Sequence, residues 1–400
     1  MQKAKSIKFN THLLIVFLGI IFVSFNLRAP ITSVGPVIDL IQEQYKLNSS
    51  MAGFITTLPL LAFAIFSPIV AKINHKFGHG ETMFAGLILI ILGLFIRSYM
   101  EVFGLFAGTV FIGIGIAIGN VLIPSVIKHK FKKNAGSVIS IYITSMCIFA
   151  AIGSGVSIPI TNMYDWNTSL AIWVVLAFIA LLVWLPQLKK SQNYNNSDDI
   201  KAQEQMINKS IWKSSLAWWV TLYMGTQSLI FYTLIAWMPS ILIFKGFDSH
   251  FAGMMLLLFQ LVGLPATLIV PIIADKMKNQ KLIATLVSLI YLIGMIIFLY
   301  AQTSFAIIVS MIFLGLGMGG AISLAIGFIT QRTPDAKKAA ELSGMSQSAG
   351  YFLAAFGPLV LGFIYDVSKS WTTALVVLII AIGLLTMFGL KAGQNKVTHH

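Results

Sequence analysis

Long apolar segments separated by short polar ones run along almost the whole chain of 400 residues. Most of them approach or exceed the roughly 20 residues that a helix needs to cross a bilayer. Strands of a membrane barrel would instead alternate over about 10 residues and leave a much weaker hydropathy signal. The pattern therefore predicts an all-α integral membrane protein with about twelve transmembrane helices. Their predicted bounds are 13–38, 51–71, 82–98, 102–126, 136–160, 168–186, 214–241, 251–273, 282–300, 304–329, 342–364 and 372–390.

One polar stretch, residues 187–213, is much longer than the others and lies near the middle of the chain. It is rich in Lys, Asn, Gln, Ser and Asp. We interpret this stretch as a cytoplasmic linker between two six-helix bundles, formed by residues 1–186 and 214–400.

Short repeats at a spacing of about 200 residues connect the two predicted bundles. The pair Ala-Gly at 52–53 recurs at 252–253, each time at the start of a span. The segment Pro-Ile-Val-Ala-Lys at 68–72 is similar to Pro-Ile-Ile-Ala-Asp-Lys at 271–276, and each closes a span. Two such halves, related by an axis along the membrane normal, are typical of the major facilitator fold, whose halves rock about a central site near the midplane.

Composition excludes a water-soluble protein. Hydrophobic residues make up 57% of the chain and charged residues 10%, whereas soluble domains carry about 25% charged residues. The net charge of +14 could indicate a nucleic-acid partner, but its distribution follows the membrane and we expect none. Of the 27 lysines and arginines, Arg28 lies within a span, four lie in outside loops and the others lie in the cytoplasm, as the positive-inside rule requires. The four outside residues are Lys46, Arg97, Lys245 and Lys369.

The basic stretch from Lys3 to Lys8 precedes an apolar run that is too long for a signal peptide and lacks a small-residue cleavage site. We interpret the run as a retained first span, which predicts a multi-pass protein of the bacterial cytoplasmic membrane with both termini in the cytoplasm. Cys147 is the only cysteine, so no internal disulfide can form. The chain has no P-loop, HExxH, CxxC or Gly-x-Ser-x-Gly motif. We therefore expect a monomer that is not an enzyme and holds no cofactor or metal.

Arg28 is the one charged residue deep within a predicted span. An arginine at the bilayer centre costs about 2.5–3.5 kcal/mol on insertion scales, so it should face the bundle interior or an aqueous cavity. Ser24, Arg28 and Thr32 share one helix face, and Pro30 and Pro36 predict a bend or local unwinding there. Arg28 is a candidate ligand for a small anion, because a guanidinium stays charged and offers paired planar donors. The alternative is a structural arginine that caps main-chain carbonyls near Pro30 or reaches an interface.

Neutral polar residues in other spans could complete a polar pocket around Arg28. Their amide, hydroxyl and indole groups form hydrogen bonds without adding a second full charge. For each of them a hydrogen bond between helices is an equal alternative, since such bonds are common in membrane bundles. The candidates are Thr57, Asn120 and Tyr142 in the first half and Gln227, Tyr232, Trp237, Gln260, Gln347 and Tyr351 in the second.

Proton-coupled carriers typically place Asp, Glu or His inside the membrane. Every such residue here lies in a predicted loop or near a span end, and Asp39 and Glu43 are the carboxylates nearest to Arg28 along the chain. Facilitated diffusion, exchange and proton symport through a peripheral carboxylate or the solute itself therefore stay open.

Five stretches of the chain resemble the cyanate permease and 2-nitroimidazole transporter family of the major facilitator superfamily. They are 26–41 (NLRAPITSVGPVIDLI), 53–72, 111–131, 252–275 and 342–366 (LSGMSQSAGYFLAAFGPLVLGFIYD). The resemblance covers nearly the whole chain and implies a major facilitator fold and secondary transport. Cyanate-like anions and nitroimidazole-like heterocycles are the solutes that it implies.

The leading hypothesis is a carrier of a small anion or a small polar heterocycle that works by alternating access, with Arg28 as the charge anchor. Its expected partners are the solute, the lipid bilayer and, in a coupled mechanism, a proton. The alternatives are a drug efflux carrier, in which aromatic residues line a roomy apolar site, and a transporter-like sensor that binds a ligand without flux.

Overall fold

The computed structural model describes residues 11–131, 135–188, 209–334 and 336–396. These ranges are built from helices and contain no β-strand. Twelve helical segments in them are long and apolar enough to cross a membrane, which confirms the predicted number. In chain order the α-helices are α1 (Thr11–Asn26), α2 (Ala29–Thr32), α3 (Ile38–Tyr45), α4 (Ser49–Phe77), α5 (His79–Tyr99), α6 (Glu101–Lys130), α7 (Ala135–Met163), α8 (Trp166–Ala171), α9 (Trp173–Trp184), α10 (Lys209–Lys213), α11 (Ser215–Phe244), α12 (Ser249–Asp275), α13 (Lys281–Tyr300), α14 (Ser304–Gln331), α15 (Ala336–Ser368) and α16 (Trp371–Ala392).

Several helices extend beyond their predicted bounds. α4 exceeds the predicted 51–71 at both ends, and α15 exceeds the predicted 342–364. Hydropathy marks only the apolar part of a helix, whereas a capped polar turn continues it. The Asn48 side chain provides such a cap by accepting a hydrogen bond from the main-chain amide of Met51 at 2.8 Å.

The first span is an interrupted helix. α1, α2, a 3₁₀ helix (Gly35–Val37) and α3 follow one another and carry the span to Tyr45 rather than to residue 38. Pro30 lies in α2 and Pro36 in the 3₁₀ helix. Because proline has no N–H and crowds the preceding turn, the main-chain hydrogen-bond ladder is broken near both residues. The predicted bend or unwinding is confirmed.

Two large hydrophobic cores organise the described helices. One is built mainly from α1–α9 and the other mainly from α11–α16. Two helix pairs join the two bundles: α4 packs against α15, and α7 packs against α12. Of the predicted linker, residues 189–208 lie outside the described part of the chain, and α10 lies close to its end.

The backbones of α4 and α15 approach each other closely. A Cβ atom added at Gly53 would lie 2.4 Å from the carbonyl oxygen of Pro358. One added at Gly362 would lie 2.3 Å from the carbonyl oxygen of Ser49. Only glycine permits such an approach, so the two bundles are in main-chain contact here.

The side that carries Lys46, Lys245 and Lys369 is called the predicted outer side, following the charge pattern. The close contacts between α4 and α15 lie towards this side, and Gly53 is buried. The bundle interface is therefore closed towards the predicted outer side.

Candidate functional site

Arg28 occupies the turn between α1 and α2. It is the residue that precedes α2, and its φ of −131° and ψ of −43° are not helical. The break turns its side chain towards the second bundle, where Nη1 donates a hydrogen bond to the hydroxyl of Tyr232 in α11. Its guanidinium carbon lies 5.8 Å from the ring centroid of Phe231 and 5.5 Å from that of Tyr232. Arg28 is therefore held at the contact between the bundles, against aromatic rings and not against main-chain carbonyls.

Two further tyrosines lie within electrostatic range of Arg28: Tyr142 from α7 and Tyr351 from α15. The rings of Tyr232 and Tyr351 are 6.4 Å apart. We call Arg28, Tyr142, Tyr232 and Tyr351 the arginine–tyrosine cluster. It draws on both bundles, so a solute bound there would contact both of the units that move in alternating access.

The cluster carries an unbalanced positive charge. Among the residues that the structure describes, Lys338 and Glu341 form the only ion pair within 4.0 Å, and no carboxylate pairs with Arg28. Arg28 is only half-buried, so it borders open space. A half-buried cation without a counterion favours an anion or a strong hydrogen-bond acceptor beside it.

A second polar layer lies on the predicted outer side of the cluster. Gln260 of α12 donates to the hydroxyl of Ser154 at 2.7 Å, and Ser154 contacts the carbonyl oxygen of Thr32 at 3.3 Å. Thr57 of α4 donates to the carbonyl oxygen of Ala355 at 2.7 Å. Gln260 and Thr57 therefore bridge the two bundles. The buried Oε1 atom of Gln260 has no hydrogen-bond partner within the described chain.

The other candidates lie apart from these layers or make local contacts. Gln227 is buried and donates to Ser228 at 2.7 Å, and Gln347 donates to Ser343 of its own helix at 3.2 Å. Trp237 donates to the carbonyl oxygen of Pro358 at 2.8 Å, in the closed outer contact. Asn120 is half-buried and follows Gly119, which packs on Leu27.

Arg97 lies at a different place from the one that the sequence predicts. The predicted position in an outside loop is wrong, because Arg97 lies in α5 with a side chain that is 2% exposed. It donates to the carbonyl oxygen of Pro30 at 2.7 Å and to that of Leu170 at 3.5 Å. Arg97 is thus a second arginine inside the first bundle, and it is more deeply buried than Arg28. The predicted span 82–98 already contained position 97, and the very short connection between α5 and α6 keeps Arg97 inside the helix.

Phe231 lies beside Arg28 and Cys147 lies within electrostatic range of it, although the pattern of polar residues did not identify them. Phe231 is an apolar residue in a highly apolar span, so composition did not separate it from core residues. Cys147 is half-buried in α7.

The chain belongs to the Major Facilitator Superfamily, whose family model matches residues 16–358. It is therefore a multi-pass membrane transporter of the secondary type and not an enzyme. The fold is shared with solved transporters of low sequence identity. A mutant form of the nucleoside transporter NupG superposes with a TM-score of 0.75 at 13% identity, over 94% of this chain and 99% of that one. A D-xylose-proton symporter superposes with a TM-score of 0.72 at 15% identity, over 95% of each chain.

Three relatives match nearly the full length. The uncharacterized transporter YycB of Bacillus subtilis (strain 168) is 44% identical over 94% of this chain and 93% of its own. The 2-nitroimidazole transporter of Escherichia coli (strain K12) is 37% identical over 96% of both chains. The cyanate transport protein CynX of the same strain is 23% identical over 89% of this chain and 91% of its own. The resemblance to the cyanate and 2-nitroimidazole branch is confirmed.

Proposed function

We propose that this transporter carries a small planar solute with a hydrogen-bond acceptor group, and that Arg28 holds that group. The observation that carries the proposal is the guanidinium without a carboxylate partner at the contact between the bundles. A guanidinium has five N–H donors, and the hydrogen bond to Tyr232 uses one of them. The remaining donors can bind two oxygens of one solute group side by side, as arginine binds carboxylates.

The aromatic rings around Arg28 favour a flat ring over a small linear anion. The rings of Phe231 and Tyr232 lie against the guanidinium, and the ring of Tyr351 lies 6.4 Å from that of Tyr232. A nitroimidazole-like heterocycle can stack on one of them while its nitro oxygens accept from Arg28, and aromatic pairs contribute about 0.5–1.5 kcal/mol beyond area burial. The higher identity to the protein named 2-nitroimidazole transporter than to the cyanate transport protein supports the same choice.

Transport proceeds by rocking of the two bundles about the arginine–tyrosine cluster. Residues of the outer contact such as Gly53 and Trp237 are buried, whereas Arg28, Gln347 and Tyr351 are half-buried. This contrast supports a conformation that is closed outside and opens towards the cytoplasm. The protein acts as a monomer in the bacterial cytoplasmic membrane with both termini inside, and a proton can accompany the solute through a peripheral carboxylate such as Asp39.

Uptake by purified protein in proteoliposomes tests the proposal. We expect specific accumulation of radiolabelled 2-nitroimidazole, slower uptake of cyanate and none of the lipophilic cation ethidium. Arg28→Met should abolish accumulation while leaving the unfolding temperature close to that of the wild type. The matched control is Lys278→Met, which removes a positive charge far from the bundle contact, in the loop between α12 and α13, and should transport normally.

Three results would contradict the proposal. Normal transport of 2-nitroimidazole by the Arg28→Met variant would show that the guanidinium does not hold the solute. Efficient transport of ethidium by the wild type would favour a drug efflux carrier, because an unbalanced guanidinium repels cations. Binding of 2-nitroimidazole, seen as a raised unfolding temperature without flux, would favour a sensor.

A further inference from the structure

The break in the first span leaves the carbonyl oxygen of Pro30 without a main-chain donor. In an unbroken helix the N–H of Val34 would bond to it. In this structure the N–H of Val34 bonds to the carbonyl oxygen of Ile31 at 3.3 Å. The carbonyl of Pro30, two residues beyond Arg28, therefore needs a side-chain donor, and Arg97 provides it at 2.7 Å.

Two more carbonyls in the same break lose their main-chain donors. Thr32 lies four residues before Pro36, which has no N–H to donate. The donor expected for Ser33 is the N–H of Val37, which bonds elsewhere, to the carbonyl oxygen of Val34 at 3.1 Å. The exposed carbonyls of the break are thus a local property of its two prolines.

Hydroxyl groups of α7 form hydrogen bonds with the carbonyls of Thr32 and Ser33. Ser154 contacts the carbonyl oxygen of Thr32 at 3.3 Å, and Ser157 donates to that of Ser33 at 3.0 Å. Both serines also contact carbonyl oxygens of their own helix, so each hydroxyl proton is shared. Arg97 is the one charged donor of the three, and hydrogen bonds from charged groups are about twice as strong as neutral ones.

Burial of the charged Arg97 side chain at this position costs free energy of desolvation. Its side chain is 2% exposed, it forms no ion pair with the carboxylates of the described chain, and its Nε atom lacks a hydrogen-bond partner there. The space beside it, lined by Ile31, Thr56 and Ile112 among others, has no room for a water molecule. There is therefore no room for an anion to bind at Arg97. The Arg97 guanidinium instead binds main-chain carbonyls of the protein.

The main chain at Arg97 is also held in place. A Cβ atom added at Gly108 of α6 would lie 2.3 Å from the amide nitrogen of Arg97, so α5 and α6 are in main-chain contact at this point. The last turn of α5 further favours a cation, because main-chain carbonyls concentrate negative charge at a helix C-terminus. Arg97 thus joins a rigid α5–α6 pair to the irregular part of the first span.

We infer that Arg97 is a positioning residue for the solute site: its hydrogen bond to Pro30 holds the α1–α2 break in the geometry that directs Arg28 at the second bundle. The inference rests on the proposed role of Arg28. Arg97 touches no solute and acts through two residues of backbone. Without the Arg97 hydrogen bond, the break would rearrange until the carbonyl of Pro30 met another donor, and the Arg28 side chain would move with it.

The test compares Arg97→Lys, Arg97→Gln and Arg97→Met in proteoliposomes. We expect Arg97→Met to raise the KM for 2-nitroimidazole at least roughly tenfold with a smaller change in kcat, since a misplacement of about 1 Å can cost about 100-fold. Arg97→Lys retains a charged donor and should recover most of the wild-type KM. Arg97→Gln, a neutral donor, should lie between the two.

The single native cysteine gives a second readout that needs no solute. Cys147 lies within electrostatic range of Arg28, so its reaction rate with N-ethylmaleimide responds to a displacement of that side chain. Arg97→Met should change the rate several-fold and in the same direction as Arg28→Met. This readout holds even if the wild type carries neither 2-nitroimidazole nor cyanate, so it separates failure of this inference from failure of the proposed function.

Arg332→Met is the matched control. Arg332 is also a buried arginine, 3% exposed, that donates to main-chain carbonyls, those of Ala392 and Gly393 at 2.9 and 3.4 Å, in the other bundle. This variant should lose stability but keep the KM and the labelling rate. The inference is overturned if the folded Arg97 variants match the wild type in both readouts, or if every Arg97 substitution simply unfolds the protein.

Discussion

The Asp366 carboxylate of α15 accepts two hydrogen bonds from Ser50 at the start of α4, from its main-chain amide at 2.8 Å and from its hydroxyl at 2.9 Å. It also accepts from the main-chain amide of Ser49 at 2.9 Å. One bundle thus caps a helix of the other on the predicted outer side. A carboxylate at a helix N-terminus is favourable because unpaired N–H groups concentrate positive charge there.

Asp366→Asn should weaken the closed outer contact. A cap of this kind is worth about 1 kcal/mol, which corresponds to about a fivefold shift in population towards an outward-open state. Labelling of Cys147 by a membrane-impermeant maleimide, added outside intact cells, should rise accordingly. Asp248→Asn is the control, because Asp248 caps its own helix through Phe251 and does not join the bundles. Equal labelling in wild type and Asp366→Asn would exclude this role.

Gly53→Ala should prevent closure of the same contact. Its Cβ would lie 2.4 Å from a main-chain oxygen that cannot rotate away, so α4 and α15 must separate. We expect a folded protein that binds 2-nitroimidazole but accumulates none, and whose Cys147 reacts from outside. Gly383→Ala provides the control, since that position is exposed and a Cβ there has nothing within 4 Å. Normal uptake by Gly53→Ala would show that the backbone approach is dispensable.

Tyr232→Phe should destabilise the contact between the bundles. The change removes the acceptor of the Arg28 hydrogen bond but keeps the ring. Arg28 stays in this variant as a cation without its acceptor, whereas Arg28→Met removes the charge together with the hydrogen bond. Hydrogen bonds to charged groups are worth about 1.5–3 kcal/mol, so we expect a measurable fall in unfolding temperature and altered uptake for Tyr232→Phe. In Tyr223→Phe the lost hydroxyl is buried without a partner in the described chain, so that variant should be neutral or stabilising. Indistinguishable behaviour of the two variants would contradict the expectation.

Gln260→Leu should change solute selectivity. The unpartnered Oε1 atom of Gln260 is suited to accept the ring N–H of a heterocycle anchored at Arg28. The wild type should therefore prefer 2-nitroimidazole to its 1-methyl derivative by about tenfold in KM, the equivalent of about 1.4 kcal/mol. Gln260→Leu should lose this preference. If Gln260→Leu keeps the preference for 2-nitroimidazole over its 1-methyl derivative, the ring N–H of the solute does not bind to Gln260.

The number of spans, the helical fold, the break at Pro30 and Pro36 and the unusual charge at Arg28 could all be read from the chain. Each follows from a local rule: hydrocarbon thickness sets the length of apolar segments, and proline removes a main-chain donor wherever it stands. The expected neighbours of Arg28 were named only as a set of nine polar residues. Of these, Tyr232 bonds to the guanidinium, and Tyr142 and Tyr351 lie within electrostatic range of it.

Sequence by itself thus determined that this protein is a membrane carrier with twelve transmembrane spans and an arginine deep within an interrupted first span. Only the tertiary structure decided which tyrosines meet that arginine, that Arg97 is buried against Pro30, and that Asp366 caps α4. Helical spacing states which residues share a face but not where the face points. The direction depends on how each helix is rotated against partners that lie far away along the chain, and that rotation is set by packing over both bundles.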